Sequence, residues 1–331
     1  MSSPTMAEKN RLTPKPQGVG GFDECWYPVA LSSEVARGSV HGCEFLDGRV
    51  VVLRAGGGEV SVLSAYCRHL GADLADGDIR DDCIRCPFHH WVYDASGQCL
   101  GSEVGDRVPH GTSLFAFPTQ ERWGLIWAFN GREPTYNVPT WEEDESERCY
   151  STIMVADYRG DPFLAMLNVI DVQHLRSLHG LDVSDIDLKT EDESFHVDMT
   201  IGGGDMGLPT MTRHAQILGT NSVVYSRTSI GIDMMSAATP YGDGRSRLYL
   251  VTAGLHSVIP AESIVQKVAD RQRMSEDVIA QDIPVLERIR FRVDKVTSSD
   301  RGIVTFLQFV TNYTRSHPSA ALIASQRIAR A

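Results

Sequence analysis

Four residues in two short loops stand out for their chemistry: Cys67-Arg68-His69 and, sixteen residues further on, Cys86-Pro87-Phe88-His89. Two thiols and two imidazoles so placed can hold one tetrahedral zinc ion, or an iron–sulfur cluster in which two histidines replace two cysteines on one iron. Structural zinc sites separate paired ligands by two to four residues, whereas one residue separates Cys67 from His69. A C-x-H loop facing a C-x-x-H loop lets each loop give one thiolate to an inner iron and one imidazole to an outer iron. Neutral imidazoles raise the potential of such a cluster above that of an all-thiolate one, and their free N–H groups can donate outward. Cys83 with Cys86 also spells C-x-x-C, but Cys86 is claimed by the cluster, so Cys83 and Cys99 read as thiols of the core or backing the site.

A second set is Asn168-Val169-Ile170-Asp171-Val172-Gln173-His174-Leu175-Arg176-Ser177-Leu178-His179. Five residues along an ideal helix turn through about 500°, which leaves His174 and His179 about 140° apart around the axis. They converge only where the helix ends or distorts between them, and Gly180 supplies a stop just after His179.

The pattern C-x-H-x16-C-x-x-H resembles the Rieske ligand motif with the spacing of its oxygenase branch. N-x-x-D-x-x-H-x4-H resembles the segment that carries the mononuclear iron in Rieske non-haem iron oxygenases. The resemblance covers roughly residues 22 to 315. It implies a [2Fe-2S] cluster on Cys67, His69, Cys86 and His89, and an Fe(II) on His174, His179 and a carboxylate. Such a facial triad leaves neighbouring positions open for dioxygen. The segment Gln281-Asp282-Ile283-Pro284-Val285-Leu286-Glu287 resembles the late ligand region; the family's ligand is its Asp, so Asp282 is preferred to Glu287, although Asp282 could also cap the turn at Ile283-Pro284. One departure is His90 before Trp91, where the family motif commonly has Gly-Trp; it places a spare imidazole beside the cluster, and spacing favours His89 as the ligand.

The resemblance further implies that Asp171 bridges a cluster histidine of one subunit to an iron-binding histidine of its neighbour, and that Asn168 lies close behind the iron ligands. With no recognisable second subunit or fused reductase domain in 331 residues, the chain looks like the α-only, homotrimeric branch. The implied activity uses O2 as cosubstrate and electrons from NAD(P)H, delivered by a separate reductase with or without a ferredoxin. A small organic substrate is hydroxylated, or dealkylated through an unstable hydroxylated carbon. Ring cis-dihydroxylation and desaturation are neighbouring outcomes. A Rieske electron carrier and a zinc-binding protein are the readings from other classes; the first leaves the second half of the chain without a role, and the second predicts a colourless protein with about one zinc per chain.

These residues need two kinds of scaffold. Residues 1–21 are rich in Ser, Pro, Lys and Gly and read as a flexible leader. From Trp26 to Phe129, short β-rich runs broken by turns (Arg49–Leu53, Val60–Leu63, Trp91–Tyr93, Leu125–Phe129) predict an all-β [2Fe-2S] domain over 22–140. The acidic run Trp141–Glu147 reads as an inter-domain linker. Over 141–331, Asp161-Pro162 starts a helix predicted to run to Ser177, followed by strand-like runs at 195–201, 222–232 and 247–253, a long helix over 261–279 and a short one from Ala320. The fold class is α+β, the second domain resembling the helix-grip (Bet v1-like, START-like) fold.

A hydrophobic share of 42% and a charged share of 22% suit a folded globular chain. A net charge of −12 argues against a nucleic-acid footprint, which is built on clustered Lys and Arg. With no apolar run long enough to span a bilayer and no signal-like start, the expectation is no membrane partner and a cytoplasmic location. Seven cysteines, four of them between Cys67 and Cys99, suit a metal site better than a disulfide scaffold. Gly202-Gly203-Gly204-Asp205-Met206-Gly207 matches a dinucleotide fingerprint, but Leu208-Pro209-Thr210 cannot supply the helix that would hold phosphates. Asn312-Tyr313-Thr314 is taken as a chance glycosylation match, and the remaining histidines as ordinary side chains. Met206, Met211, Met234 and Met235 fit core filling, or the lining of an apolar pocket.

Overall fold

The computed structural model describes residues 12–105, 107–202, 210–226, 230–315 and 319. The chain divides into two compact units, one of residues 20–134, 239–243 and 315 onward, the other of the remainder up to 314.

The smaller unit is all-β. Its strands are β1 (Trp26–Leu31), β2 (Ser39–Phe45), β3 (Gly48–Arg54), β4 (Val60–Ser64), β5 (Asp78–Arg80), β6 (Cys83–Arg85), β7 (Trp91–Tyr93), β8 (Cys99–Ser102), β9 (Ala116–Phe117), β10 (Thr119–Arg122) and β11 (Leu125–Phe129). They form three antiparallel sheets in the orders β1-β11-β10, β2-β3-β4-β9 and β5-β6-β7-β8. Val50, Val51, Val52 and Leu53 are all buried, so β3 is covered on both faces and its sequence shows a continuous apolar run rather than an alternation.

The larger unit is built on one antiparallel sheet of seven strands: β12 (Arg148–Arg159), β13 (Asp182–Thr190), β14 (Ser194–Gly202), β15 (Met211–Leu218), β16 (Ser222–Ser226), β17 (Ile232–Tyr241) and β18 (Arg245–Leu255). Their order is β12-β18-β17-β16-β15-β14-β13. Between β12 and β13 come two short helices, α1 (Pro162–Leu167) and α2 (Val172–Ser177); after β18 come α3 (Ala261–Leu286) and α4 (Arg301–Asn312). The buried residues Ile264 and Val268 of α3 lie on Gly254 of β18, where a Cβ would come within 2.9 Å of Val268 Cγ2, so a glycine is what lets the helix seat on the strand. A long helix laid on a broad antiparallel sheet is the α+β helix-grip arrangement expected. Among the described residues no helix is long and apolar enough to cross a membrane.

Several expectations need correction. Residues 12–19 are not a loose leader: Leu12 is buried in the larger unit's core, and the Gln17 N–H donates to Asp161 Oδ1 at 2.9 Å. The single helix expected from Asp161 to Ser177 is two. Asp161 is the N-cap of α1 with Pro162 in the first turn, but the helix ends at Leu167, and Asp171 starts α2 afresh by accepting the His174 N–H at 2.9 Å. The helix expected over 261–279 runs on to Leu286 with Pro284 inside it, so Asp282 is a helical residue and not the cap of a turn. The strand expected over 222–232 is two strands, β16 and β17. Helix α4 was not anticipated; its β-branched residues hide an apolar face that buries Phe306, Leu307 and Val310. Trp141–Glu147 is anchored rather than free: Trp141 is buried with its Nε1–H on the Tyr225 carbonyl at 2.9 Å, and Arg148 stacks on its ring while bridging Glu143 and Asp233. The glycine run from 203 and the helix expected from Ala320 lie outside the described residues.

Candidate metal centres

The first candidate centre is made by two loops of matching construction. After β4, the Cys67 N–H donates to the Ala72 carbonyl at 2.9 Å and the Gly71 N–H returns to the Cys67 carbonyl at 3.0 Å. Between β6 and β7, Cys86 and Trp91 repeat the first bond at 2.8 Å, and His90 and Cys86 repeat the second at 3.2 Å. Each loop thus presents its cysteine at the base and its histidine toward the rim. The thiols are buried, Cys67 at 4% and Cys86 at 1% exposure, whereas His69 is exposed and His89 half-buried. The two imidazoles meet edge to face at 4.6 Å, and His69 stacks flat on Trp91 at 4.7 Å.

Thiols inward and imidazoles outward is the polarity a two-iron cluster with mixed ligands requires. A single tetrahedral ion with bonds of about 2.0–2.3 Å would need its four donors within about 4 Å of one another. Among the described residues, the set of three or more such donors within 4.8 Å is a different one, and the Cys/His quartet forms no such set. The residues fit the cluster.

The matching loops also explain His90. Gly71 has φ of 80° and His90, at the same point of its loop, has φ of 54°, so the turn demands a left-handed residue and a histidine bears that cost. Its Nδ1 lies 3.1 Å from Glu103 Oε2, which ties it outside the cluster loop, and His89 is the residue that faces His69.

Sequence reasoning missed Tyr93. Its buried hydroxyl accepts the Arg68 N–H at 3.0 Å, which leaves its own proton for the Cys67 sulfur at 3.3 Å. Burial pushes the Tyr93 phenol far above its ordinary value, with the Cys67 contact adding to the rise, so it stays a donor. A hydrogen bond to a ligand sulfur stabilises the reduced, more negative cluster. Tyr93→Phe is therefore expected to keep the cluster and lower its potential by on the order of 40 mV, the one-electron equivalent of about 1 kcal/mol. Protein-film voltammetry measures this, and an unchanged potential would count against the contact.

The second candidate centre joins α2, the turn after it, and α3. Helix α2 stops at Ser177, Gly180 turns the chain with φ of 61°, and the Leu181 N–H closes back on the Leu175 carbonyl at 3.0 Å. The break brings together the two rings that an unbroken helix would separate. His174 Nε2 and His179 Nε2 are 3.1 Å apart, and Asp282 Oδ1 lies 3.4 Å from the first and 3.1 Å from the second. Three perpendicular bonds of about 2.1 Å would place donors about 3.0 Å apart, so the triangle fits one face of an octahedral ion.

Its electrostatics point the same way. Three atoms bearing lone pairs face one another, and among the described residues Asp282 Oδ1 is buried without a hydrogen-bond partner. Burial, the largest influence, pushes the Asp282 carboxyl up, opposed by the two imidazoles and by Asn168, a polar partner of its carboxylate. Burial pushes His174 down, which keeps its ring neutral as a ligand must be. A bound cation would relieve both the facing lone pairs and the buried carboxylate. Glu287, the alternative carboxylate, is exposed at the end of α3 and is not in this set.

The triad opens on a cavity of about 300 Å³ between the sheet and α3, walled mainly by apolar side chains, among them Met166, Leu175, Val223, Ile232 and Leu250. Of the methionines singled out from the sequence, Met211 and Met234 line this cavity, Met235 is buried in the core, and Met206 lies outside the described residues.

Comparison with known proteins agrees with this construction. A Rieske [2Fe-2S] domain is matched over residues 25–111. The chain is 33% identical over 180 residues to aminopyrrolnitrin oxygenase PrnD of Pseudomonas fluorescens, covering 51% of this chain and 49% of that protein. It is 30% identical over 265 residues to cholesterol 7-desaturase nvd of Bombyx mori, covering 74% of this chain and 56% of that one. It thus spans about half the length of these curated relatives. The crystal structure of dicamba monooxygenase bound to dicamba superposes with a TM-score of 0.66 at 19% identity, over 89% of this chain and 97% of that one. The chain thus carries a Rieske [2Fe-2S] domain over residues 25–111 and, taken more widely, is similar in sequence to an oxygenase and a desaturase and in fold to a monooxygenase.

Proposed function

We propose that this chain is the terminal oxygenase of a short electron-transfer system. It takes electrons from a separate NAD(P)H-dependent reductase, directly or through a ferredoxin, and places one oxygen atom of O2 on a small organic substrate, by hydroxylation or by oxidative dealkylation. The observation that carries this reading is the triangle of His174, His179 and Asp282 opening on an apolar cavity of about 300 Å³. When bound, the cluster supplies one-electron reduction and the iron supplies dioxygen activation.

The residues of the chain do the rest. His69 and His89 present imidazole N–H groups at the rim of the small unit, where a donor can approach or an acceptor carboxylate can dock. Asp171 spends one oxygen on the His174 N–H, which fixes the ligand-bearing helix; its carboxylate is the group proposed to receive a cluster histidine of a neighbouring chain. That role makes a homotrimeric ring the working assembly. Asn168 orients Asp282, and the apolar walls hold a C–H bond near the iron while excluding bulk water. Desaturation, which the name of the silkworm relative carries, would begin with the same hydrogen abstraction.

The test is turnover under isotopically labelled O2 with a surrogate reductase. One labelled oxygen atom in the hydroxylated product, or in the aldehyde released by dealkylation, is expected; NAD(P)H consumption with no label in any organic product would contradict the reading.

A further inference from the structure

Two cations stand in the wall of the apolar cavity: Arg213 from β15 and Arg271 from α3. Among the described residues neither meets a carboxylate. Arg213 lies over the Tyr225 ring, 3.8 Å from its centroid. Among the described residues the buried Nε of Arg271 has no acceptor, and its Nη1 reaches the thioether of Met274 at 3.1 Å, a weak partner. The acidic neighbours on α3 are engaged elsewhere, Asp270 with Gln266 and Arg273, Glu276 with Gln272. Asp282 belongs to the metal triangle.

Two unneutralised guanidinium groups sharing one mostly apolar cavity are costly, through lost hydration and mutual repulsion. The direction is visible at Arg271, whose guanidinium is pushed below its ordinary value first by burial and then by the charge of Arg213. An occupant bearing a negative charge would relieve both costs, and a guanidinium fork suits a carboxylate or sulfonate.

Helix geometry fixes where the other end of such an occupant lies. Arg271 and Asp282 are eleven residues apart, about 1100° of turn, so they share one face of α3 about 16 Å apart along its axis. Ser275 and Ile279, between them on that face, also line the cavity.

We propose that the substrate is an organic anion: an elongated apolar body whose carboxylate or sulfonate is held by Arg213 and Arg271, with the reacting carbon directed toward the His174–His179–Asp282 end. Which end reacts rests on the oxygenase reading above; the preference for an anion does not.

The test is calorimetric binding to the iron-loaded, anaerobic, unreduced protein, using matched acid and amide pairs of increasing length: benzoate and benzamide, naphthoate and naphthamide, biphenylcarboxylate and biphenylcarboxamide. At least one acid is expected to bind about tenfold or more tightly than its amide, the size of one charge-assisted hydrogen bond. Arg271→Gln is expected to weaken that acid by about tenfold to a hundredfold and leave the amide nearly unchanged, with Arg271→Lys restoring part of the loss and Arg213→Gln acting in the same direction. An unchanged cluster absorption and melting temperature certify that each variant is folded. Equal binding of acid and amide in every pair, no binding by any acid, or equal weakening of acid and amide by Arg271→Gln would overturn the proposal. A protein that prefers anions but holds no third iron would instead sink the oxygenase reading alone.

Discussion

Asp282→Ala is expected to lose the mononuclear iron, lowering the metal content from about three irons per chain to about two while the visible spectrum of the cluster persists. Turnover should vanish with it. Asp282 is the one carboxylate of a triangle whose other corners, His174 and His179, are imidazole rings within 3.4 Å of it. Removing it leaves a two-nitrogen site with no charge to offset that of the ion. The same carboxylate is buried and pushed upward in the metal-free polypeptide, so its loss should not lower the melting temperature of the iron-free protein. Iron analysis and calorimetry on iron-free and iron-loaded samples separate these effects. A third iron that survives the substitution would remove Asp282 from the ligand set.

Asp171→Asn is expected to leave both centres occupied and the fold intact, yet to cut turnover by about a hundredfold. Asparagine caps a helix as well as aspartate, so the bond to the His174 N–H that starts α2 survives the change. What disappears is the charge and the second carboxylate oxygen that would join two histidines across a subunit boundary. Stopped-flow reduction of the cluster should be unchanged, while its reoxidation by O2 in the presence of substrate becomes slow. Normal reoxidation would confine Asp171 to its capping role.

The two centres differ in how much of them is legible in sequence. The cluster site is local: each loop carries its own cysteine and histidine, and the ligand spacing is written into the chain. Even the departure at His90 has a local cause, a left-handed turn position that any residue there must adopt. The iron site is assembled by tertiary structure. His179 becomes a partner of His174 only because α2 ends between them, which Gly180 announces. Asp282 arrives from a helix a hundred residues away, and Pro284 obscured its place there by suggesting that the helix had already ended.

Other features have no sequence signal. Arg213 lies on a strand and Arg271 on a helix, and nothing in either segment says that both line one cavity. Tyr93 is an ordinary aromatic residue of a short strand until the fold brings its hydroxyl to Cys67. Residues 12–19 and the acidic run were misread for a shared reason. Polar composition suggested loose chain, but single apolar residues, Leu12 in one and Trp141 in the other, are enough to anchor them.

Both substitutions presuppose two distinct iron centres in one chain, and metal and sulfide analysis of the purified protein, with its absorption spectrum, tests that claim most directly. A brown protein with about three irons and two acid-labile sulfides per chain is expected, one two-iron cluster plus one iron. A colourless protein with about one zinc, or a coloured one that binds two irons and two sulfides and refuses a third, would contradict it.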